Sequence, residues 1–368
     1  MVSSKDLHPS AAGRYPCRMS PSALSALPVS HIPTLLGKIT AGEDLSADEA
    51  EAAFDLFMDG TATPVQMAAL LVALKGKGLA PSEVAGGVRA LRKAMVPVAA
   101  RDPGTLVDTA GTGGGEITTF NISTAAALVA AGAGVRIAKH GNRSFTSRCG
   151  SADVLEALGV KIDLTPQRMG EILEEVGIVF MFAPLLHPAM RHVGPVRKEL
   201  GITTIMNVLG PLTNPAGARR QVVGVADPHL VSLLVRALQE LGHTRGLVVH
   251  GSPGMDEVSP TATTRIAELR DGTVIEREVT PEALGVEPQP LEGLAGGSAA
   301  DNADVIRAVL GGRRKDAART ATLLNAAAAI YVGGAAATLE DAVGVAAQSV
   351  DTGAALETLD RLRAASLA

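Results

Sequence analysis

From residue 104 onward, short apolar runs alternate with Ala-rich helical stretches as far as about residue 332, and this alternation limits the chain to few folds. Candidate strands are 106–109, 135–138, 179–182, 221–225, 246–249 and 264–269; helices fit 123–131, 152–158, 166–176, 228–241 and 318–332. Strand–helix alternation of this length specifies an α/β domain with a central mixed or parallel sheet flanked by helices. Hydrophobic residues make up 46% of the 368, charged residues 19% and aromatic residues only 2%, so Ala, Val and Leu must fill the core at close contacts. The scarcity of aromatics also removes base-stacking modules. A formal net charge of −5 leaves no positive field for a polyanion, so no nucleic-acid partner is expected. The longest apolar stretch, 323–339, is mostly Ala and contains Asn325, Gly333 and Gly334, which makes it a buried helix and a poor membrane span. Two cysteines, Cys17 and Cys149, suit a reducing, cytoplasmic setting.

Ahead of the α/β part, residues 1–30 are rich in Ser and Pro with a single acid, Asp6, and read as a disordered tail. Residues 31–98 form a small all-helical domain. Ser46 with Glu49, and Thr63 with Gln66, are capping boxes, the second with Pro64 in the first turn. Pro81-Ser82-Glu83 opens a third helix carrying Val84, Val88, Leu91 and Met95 at helical spacing. The Pro97 and Pro103 breaks end this unit, and the α/β domain takes 104–368.

Four segments carry chemistry. Asp108 leads into Gly111-Thr112-Gly113-Gly114-Gly115 and on to Asn121-Ile122-Ser123-Thr124 at a helix start. Such a loop either cradles an anion with backbone N–H groups and the helix dipole or is a plain glycine turn with a cap. It is neither a Walker loop nor GxGxxG. The second segment, Lys139 to Asp153, crowds Lys139, His140, Asn142, Arg143 and several hydroxyls around Gly141, a donor set suited to phosphates; Ser151 or Asp153 also reads as a helix cap. His140 has no Cys or His neighbour in sequence, so a metal role is not expected of it. Third, Asp256-Glu257 stands just past a strand end, where two carboxylates are either a solvated turn or a hard-oxygen Mg²⁺ site. Fourth, Arg197 shares a helical stripe with Met190, Val193 and Leu200, so it either meets an anion or snorkels to the surface.

Taken together, these motifs resemble the anthranilate phosphoribosyltransferases, in the class that also holds pyrimidine nucleoside phosphorylases. The match runs from about Ile32 to Val343 and also includes Gly150-Ser151-Ala152-Asp153 and the run from Met206 to Pro215. The resemblance implies transfer of the phosphoribosyl group of phosphoribosyl pyrophosphate to the amine of anthranilate, in tryptophan biosynthesis. It implies that Gly111, Gly114, Gly115, Thr119, Asn121, Ile122, Ser123 and Thr124 surround the phosphoribosyl pyrophosphate. On the other side of that substrate it implies Lys139, His140, Gly141, Asn142, Arg143, Ser144, Phe145, Thr146, Ser147 and Ser151. Lys139 and Arg143 would act catalytically by stabilising the departing pyrophosphate. Ser123, Asp256 and Glu257 would hold Mg²⁺, and Gly111, Asn142 and Arg197 would meet anthranilate. A homodimer through the helical domain is implied, with a segment near 187–210 completing that domain. Gly115 stands where the family usually has Asp, and Ser252-Pro253-Gly254-Met255 is one residue longer than the usual run. An acid restored at 115 is therefore expected to tighten phosphoribosyl pyrophosphate. An aryl amine is a neutral nucleophile at pH 7, so positioning and charge stabilisation suffice. The Asp256-Glu257 pair and Arg197 set the chain apart from a nucleoside phosphorylase on the same fold.

Overall fold

Hydroxyl caps start two of the amino-terminal helices, as the sequence requires. The computed structural model describes residues 32–115, 117–144 and 148–368. Residues 1–30, with Cys17, and the loop residues Phe145, Thr146 and Ser147 lie outside the described residues. Helix α1 is Ile32–Thr40, α2 Ala47–Met58, α3 Pro64–Lys77 and α4 Pro81–Ala94. Ser46 and Glu49 cap α2 reciprocally, and Thr63 and Gln66 do the same for α3. At α4 the cap is different, because Ala80 has no side-chain acceptor. The fully buried Glu83 instead accepts the Ala80 and Leu45 N–H groups at 2.9 and 3.0 Å and pairs with Lys77 at 3.1 Å.

The α/β part continues with β1 Val107–Gly111, α5 Ile122–Gly132, β2 Ile137–Gly141, α6 Ser151–Ala157, α7 Pro166–Val176, β3 Ile178–Phe182 and a short α8 Ala183–Leu186. Then come α9 Met190–Leu200, α10 Met206–Leu209, β4 Arg220–Gly224, α11 His229–Glu240, β5 Arg245–Gly251, β6 Thr264–Arg270 and β7 Thr273–Val279. Helices α12 Ala299–Leu310, α13 Ala317–Gly333, α14 Leu339–Asp351 and α15 Ala354–Leu367 close the chain. Among the described residues the strands form one mixed sheet in the order β3-β2-β1-β4-β5-β6-β7. The first five are parallel, and β6 and β7 are antiparallel.

The two-residue period of the strands splits the interior in two. Val222, Leu247, Val249 and Ile266 point into a core shared with α5 and α13. Their neighbours Val223, Val248 and Ala267 point into a second core shared with α11 and the amino-terminal helices. Helices α9 and α10 pack on that bundle too, α9 against α2 and α3 and α10 against α4. The Ala-rich composition explains the first core: α5 and α13 are largely Ala on their contact faces and lie directly against each other. No described helix is long and apolar enough to cross a membrane.

The strand and helix positions read from sequence hold to within about three residues at each end. Strand β7 and helices α12, α14 and α15 were not legible. Their reason is local: β7 is a charged, largely exposed edge strand, and α15 carries mixed charge without a capping side chain.

Candidate active site at the sheet switch point

Strands β1 and β4 lie side by side, yet the sheet continues from them in opposite directions, to β2 and to β5. Their carboxyl ends open the crevice in which ligands of open α/β sheets bind. Gly111 and Gly224 are the last residues of the two strands and are in register. Asp256, on the loop after β5, fills the space their missing side chains leave. A Cβ on Gly111 would stand 2.5 Å from Asp256 Oδ2, and one on Gly224 would stand 1.7 Å from the Asp256 carbonyl oxygen. The Gly113 N–H donates to Asp256 Oδ2 at 3.1 Å.

From β2, the buried Lys139 reaches across the same strand ends. Its Nζ donates to the Thr109 carbonyl at 2.6 Å and lies 3.2 Å from both Thr109 Oγ1 and Ser123 Oγ. Thr109, Ser123, Asp256, Glu257 and Asn325 line one small cavity. The start of α5 and the acidic pair therefore meet there, and the Lys139 strand joins them through the Lys139 contacts to Thr109 and Ser123.

The charges are strongly perturbed. Burial pushes the Glu257 carboxyl well above the usual carboxylate range, and the Asp256 charge adds to it, while Lys139 and the Ser123 amide pull the other way. Burial also raises Asp256. Asp108, fully buried in β1, is pushed up to about 6 by burial, although the Lys139 charge opposes this and its Oδ1 accepts the His140 N–H at 3.1 Å. Burial lowers Lys139, with the charges of Asp108 and Glu257 holding its proton on. Asp108 and Glu257 therefore face one buried cation with Asp256 beside them, an arrangement short of positive charge.

The rest of the sequence-singled residues divide. Thr119 makes a bridge with Ala295, and the Phe120 N–H donates to Leu294 O, so the glycine loop is anchored to the segment before α12. Asn121 does not cap α5; its Nδ2 donates to Cys149 O at 3.1 Å and its Oδ1 accepts from Asn302 at 2.9 Å. Ile122 and Thr124 are buried, the former in the core, so the Ile122 side chain faces away from a polar ligand. Ser151 Oγ donates to Asn142 O at 3.3 Å, and the cap of α6 is Gly150, whose N–H donates to Asp153 at 2.8 Å. Arg143 is not brought to the Lys139 cluster. It is exposed, lies 2.6 Å from both Asp153 and Glu156, and sits over the Phe182 ring. Ser144 is beside it in the same loop, and its amide faces Asp153.

Sequence reading missed two partners. His187 Nε2 lies 3.1 Å from His140 Nε2. Burial holds His140 at about 3 and His187 at about 4, so the pair is neutral at pH 7 with one ring donating and the other accepting. They are 47 residues apart, and no spacing rule joins them. Asn325 clamps the residue after the acidic pair, accepting the Val258 N–H at 2.8 Å and donating to Val258 O at 3.0 Å. A lone amide inside an Ala-rich helix was the signal available for it. Arg197, on α9, is half-buried without an acid partner among the described residues, and burial lowers its pKa. Helix α9 runs straight through Pro195.

Comparison with known proteins agrees with this geometry. Residues 103–356 match the glycosyl transferase family a/b domain, and 33–95 match its helical bundle domain. The anthranilate phosphoribosyltransferase of Rubrobacter xylanophilus is 52% identical over 326 residues, 89% of this chain and 95% of that protein. The chain belongs to the anthranilate phosphoribosyltransferase family. The Thermomicrobium roseum member is 50% identical over 91% of this chain and 97% of its own. Among solved structures, the Thermus thermophilus enzyme matches with a TM-score of 0.85 at 45% identity, over 90% of this chain and 99% of that one. The Saccharomyces cerevisiae enzyme in complex with PRPP and Mg matches with a TM-score of 0.82 at 25% identity, over 94% of this chain and 98% of that one. The chain is thus an enzyme of tryptophan biosynthesis with anthranilate phosphoribosyltransferase activity.

Proposed function

We propose that the switch-point crevice binds phosphoribosyl pyrophosphate with Mg²⁺ and takes anthranilate as acceptor. The observation that carries this is that Ser123, Asp256 and Glu257 line one cavity beside the strand ends while the buried Lys139 reaches two of its lining residues, Thr109 and Ser123. The donor set fits a dication: the half-buried carboxylates of Asp256 and Glu257 lie beside a single buried lysine. Among the described residues no group of three or more acidic, His or Cys side chains could hold a metal, so a bound Mg²⁺ would need water and phosphate oxygens to complete its shell. Ser123, Asp256 and Glu257 are the residues that would hold it. When bound, Mg²⁺ supplies charge neutralisation for the departing pyrophosphate.

This chain's own part is positioning. The amides of the Gly111–Gly115 loop and the start of α5 face an anion at the strand ends, and Lys139 stabilises charge developing on the leaving group. The C1–O bond to pyrophosphate breaks as the anthranilate nitrogen forms its bond to C1, and the proton this nitrogen then sheds passes to the departing pyrophosphate or to water, so no strong base is needed. The neutral His140–His187 pair agrees with this. Arg143 keeps a binding role in this reading by exchanging its Asp153 and Glu156 partners for phosphate, as an exposed guanidinium can. Gly114, Gly141 and Asn142, with Phe145, Thr146 and Ser147, complete the proposed phosphoribosyl pyrophosphate contacts. The helical unit of 31–98 with 187–210, the larger unit of 104–368 and a cytoplasmic location belong to the same reading.

Anthranilate is assigned to Gly111, Asn142 and Arg197, whose guanidinium faces the carboxylate. Arg197→Met is expected to raise the anthranilate KM by the loss of a buried charge partner, roughly 2–5 kcal/mol, with the phosphoribosyl pyrophosphate KM little changed. Steady-state kinetics in both substrates checks it, and equal effects on the two would return Arg197 to a structural role.

Gly115 bears on one expectation from sequence. A Cβ there would lie 3.0 Å from the Gly254 carbonyl oxygen, on the longer 252–255 run. An added side chain would press on that carbonyl, and in this reading that contact outweighs any gain from the carboxylate. Gly115→Asp is therefore expected to weaken phosphoribosyl pyrophosphate severalfold, through roughly 1–3 kcal/mol of overpacking. A lower KM for that substrate in the variant would restore the reading from sequence.

A homodimer through the bundle is supported by Val65 and Val72, seven residues apart on one helical face of α3, which are 78% and 44% exposed. Lys75 ties that face to Thr203 O at 2.7 Å. Val65→Glu with Val72→Glu is expected to shift sedimentation from dimer to monomer; an unchanged profile would move the interface elsewhere.

A further inference from the structure

At the opposite, amino-terminal edge of the sheet, three basic groups converge without an acid partner among the described residues. The turn between α11 and β5 carries His243, and Arg219 immediately precedes β4. The two are held together because the Thr244 N–H donates to Arg219 O at 3.0 Å. The third group comes from the helical bundle. Arg92, in the last turn of α4, donates from Nη2 to Leu212 O at 2.8 Å, and α4 packs directly on α11.

His243 is only 5% exposed, yet neither ring nitrogen makes a well-formed hydrogen bond among the described residues; the Leu238 carbonyl beside the ring already accepts the His243 main-chain N–H at 3.0 Å. Buried polar atoms in folded chains are almost always satisfied, by protein, water or ligand. Arg92 has a single backbone acceptor and no carboxylate among the described residues, and none pairs with Arg219. The groups oppose one another: burial and the Arg219 charge hold Arg92 at about 10, and burial with both guanidinium charges holds His243 at about 3. Two guanidinium groups without a carboxylate and an unfilled imidazole offer many N–H donors and excess positive charge at one place. A compact dianion answers both.

We propose that Arg92, Arg219 and His243 form a second oxyanion site, of the phosphate class, across the junction between the helical bundle and the α/β domain. It is separate from the active site, which lies at the other end of the strands. A bound phosphate would join α4 to the starts of β4 and β5, tying the two parts together. The guanidinium forks match phosphate oxygens in pairs, and the neutral imidazole donates a further hydrogen bond.

The test follows the His243 ring itself, so phosphate bound at the active site does not confuse it. Side-chain ¹H–¹⁵N resonances of the full chain are recorded during titration with inorganic phosphate, with potassium chloride and with acetate at matched ionic strength; loss of one signal in His243→Gln assigns the ring. The His243 signals are expected to move and saturate with phosphate and to stay in place with chloride. Arg219→Gln, a change at an exposed side chain outside the catalytic machinery, is expected to weaken that response by about tenfold or more and leave turnover unchanged. Indifference of the His243 ring to phosphate, or an undiminished response in Arg219→Gln, overturns the site and leaves a water-filled cluster. A response to acetate as strong as that to phosphate overturns the phosphate class.

Discussion

Replacing Asp256 by Asn and Glu257 by Gln is expected to remove Mg²⁺-dependent turnover and, at the same time, to make the protein more stable at neutral pH. The loss of activity follows from the proposed metal site and should reach at least about 10²–10³-fold, the scale of losing one preorganised electrostatic group. The gain in stability follows from burial. Both carboxyl groups are held above their ordinary range in the fold, Glu257 well above it, by burial first and for Glu257 then by mutual repulsion. A carboxyl whose pKa is raised in the native state favours folding most below its unfolded pKa and loses that contribution as pH rises through the native value. The amide variant carries no such charge. Its Tm should therefore exceed that of the unmodified chain at pH 7 to 8, and the gap should close toward pH 4. Thermal melts across this range, with turnover followed by loss of anthranilate fluorescence at saturating Mg²⁺, check both halves. Near-normal turnover would remove the pair from the metal site, and a lower Tm at every pH would show that the carboxylates hold the loop together.

The second large effect comes from a single methyl group. In Gly224→Ala the new Cβ would meet the Asp256 carbonyl oxygen at 1.7 Å, its carbonyl carbon at 2.6 Å and its Cα at 3.3 Å. These are backbone atoms, which cannot rotate aside as a side-chain tip can. The 251–257 segment must then leave the crevice between β1 and β4, carrying Asp256 and Glu257 away from Ser123 and Lys139. At a position of ordinary backbone such as this strand end, Ala is otherwise no worse than Gly, so the sign of the stability change reports the collision directly. A lower Tm, by an overpacking cost of at least about 1–3 kcal/mol, and collapse of Mg²⁺-dependent activity are expected. Wild-type activity and Tm in Gly224→Ala would mean that the loop does not depend on this gap.

The local signals in this chain were strong where one stretch of sequence completes its own physics. Ser46 with Glu49 and Thr63 with Gln66 start helices because the capping groups are three residues apart and need no other part of the molecule. The strand–helix alternation determined the α/β class, and the glycine loop, the Lys139 strand and the Asp256-Glu257 pair each stood out as donor or acceptor clusters. What the sequence left undecided is how these clusters face one another. Asp256 reaches the glycine loop only because β1 and β4 are neighbours at the switch point and both end in glycine. Long-range pairing also decided that His140 meets His187, that Asn325 clamps Val258, that Asn121 answers Asn302 rather than its own helix, and that Arg143 turns to Asp153 and Glu156. Hydrogen-bond partners of buried side chains are chosen by whatever packing brings within about 3 Å, and that distance is a property of the folded chain that sequence separation does not encode.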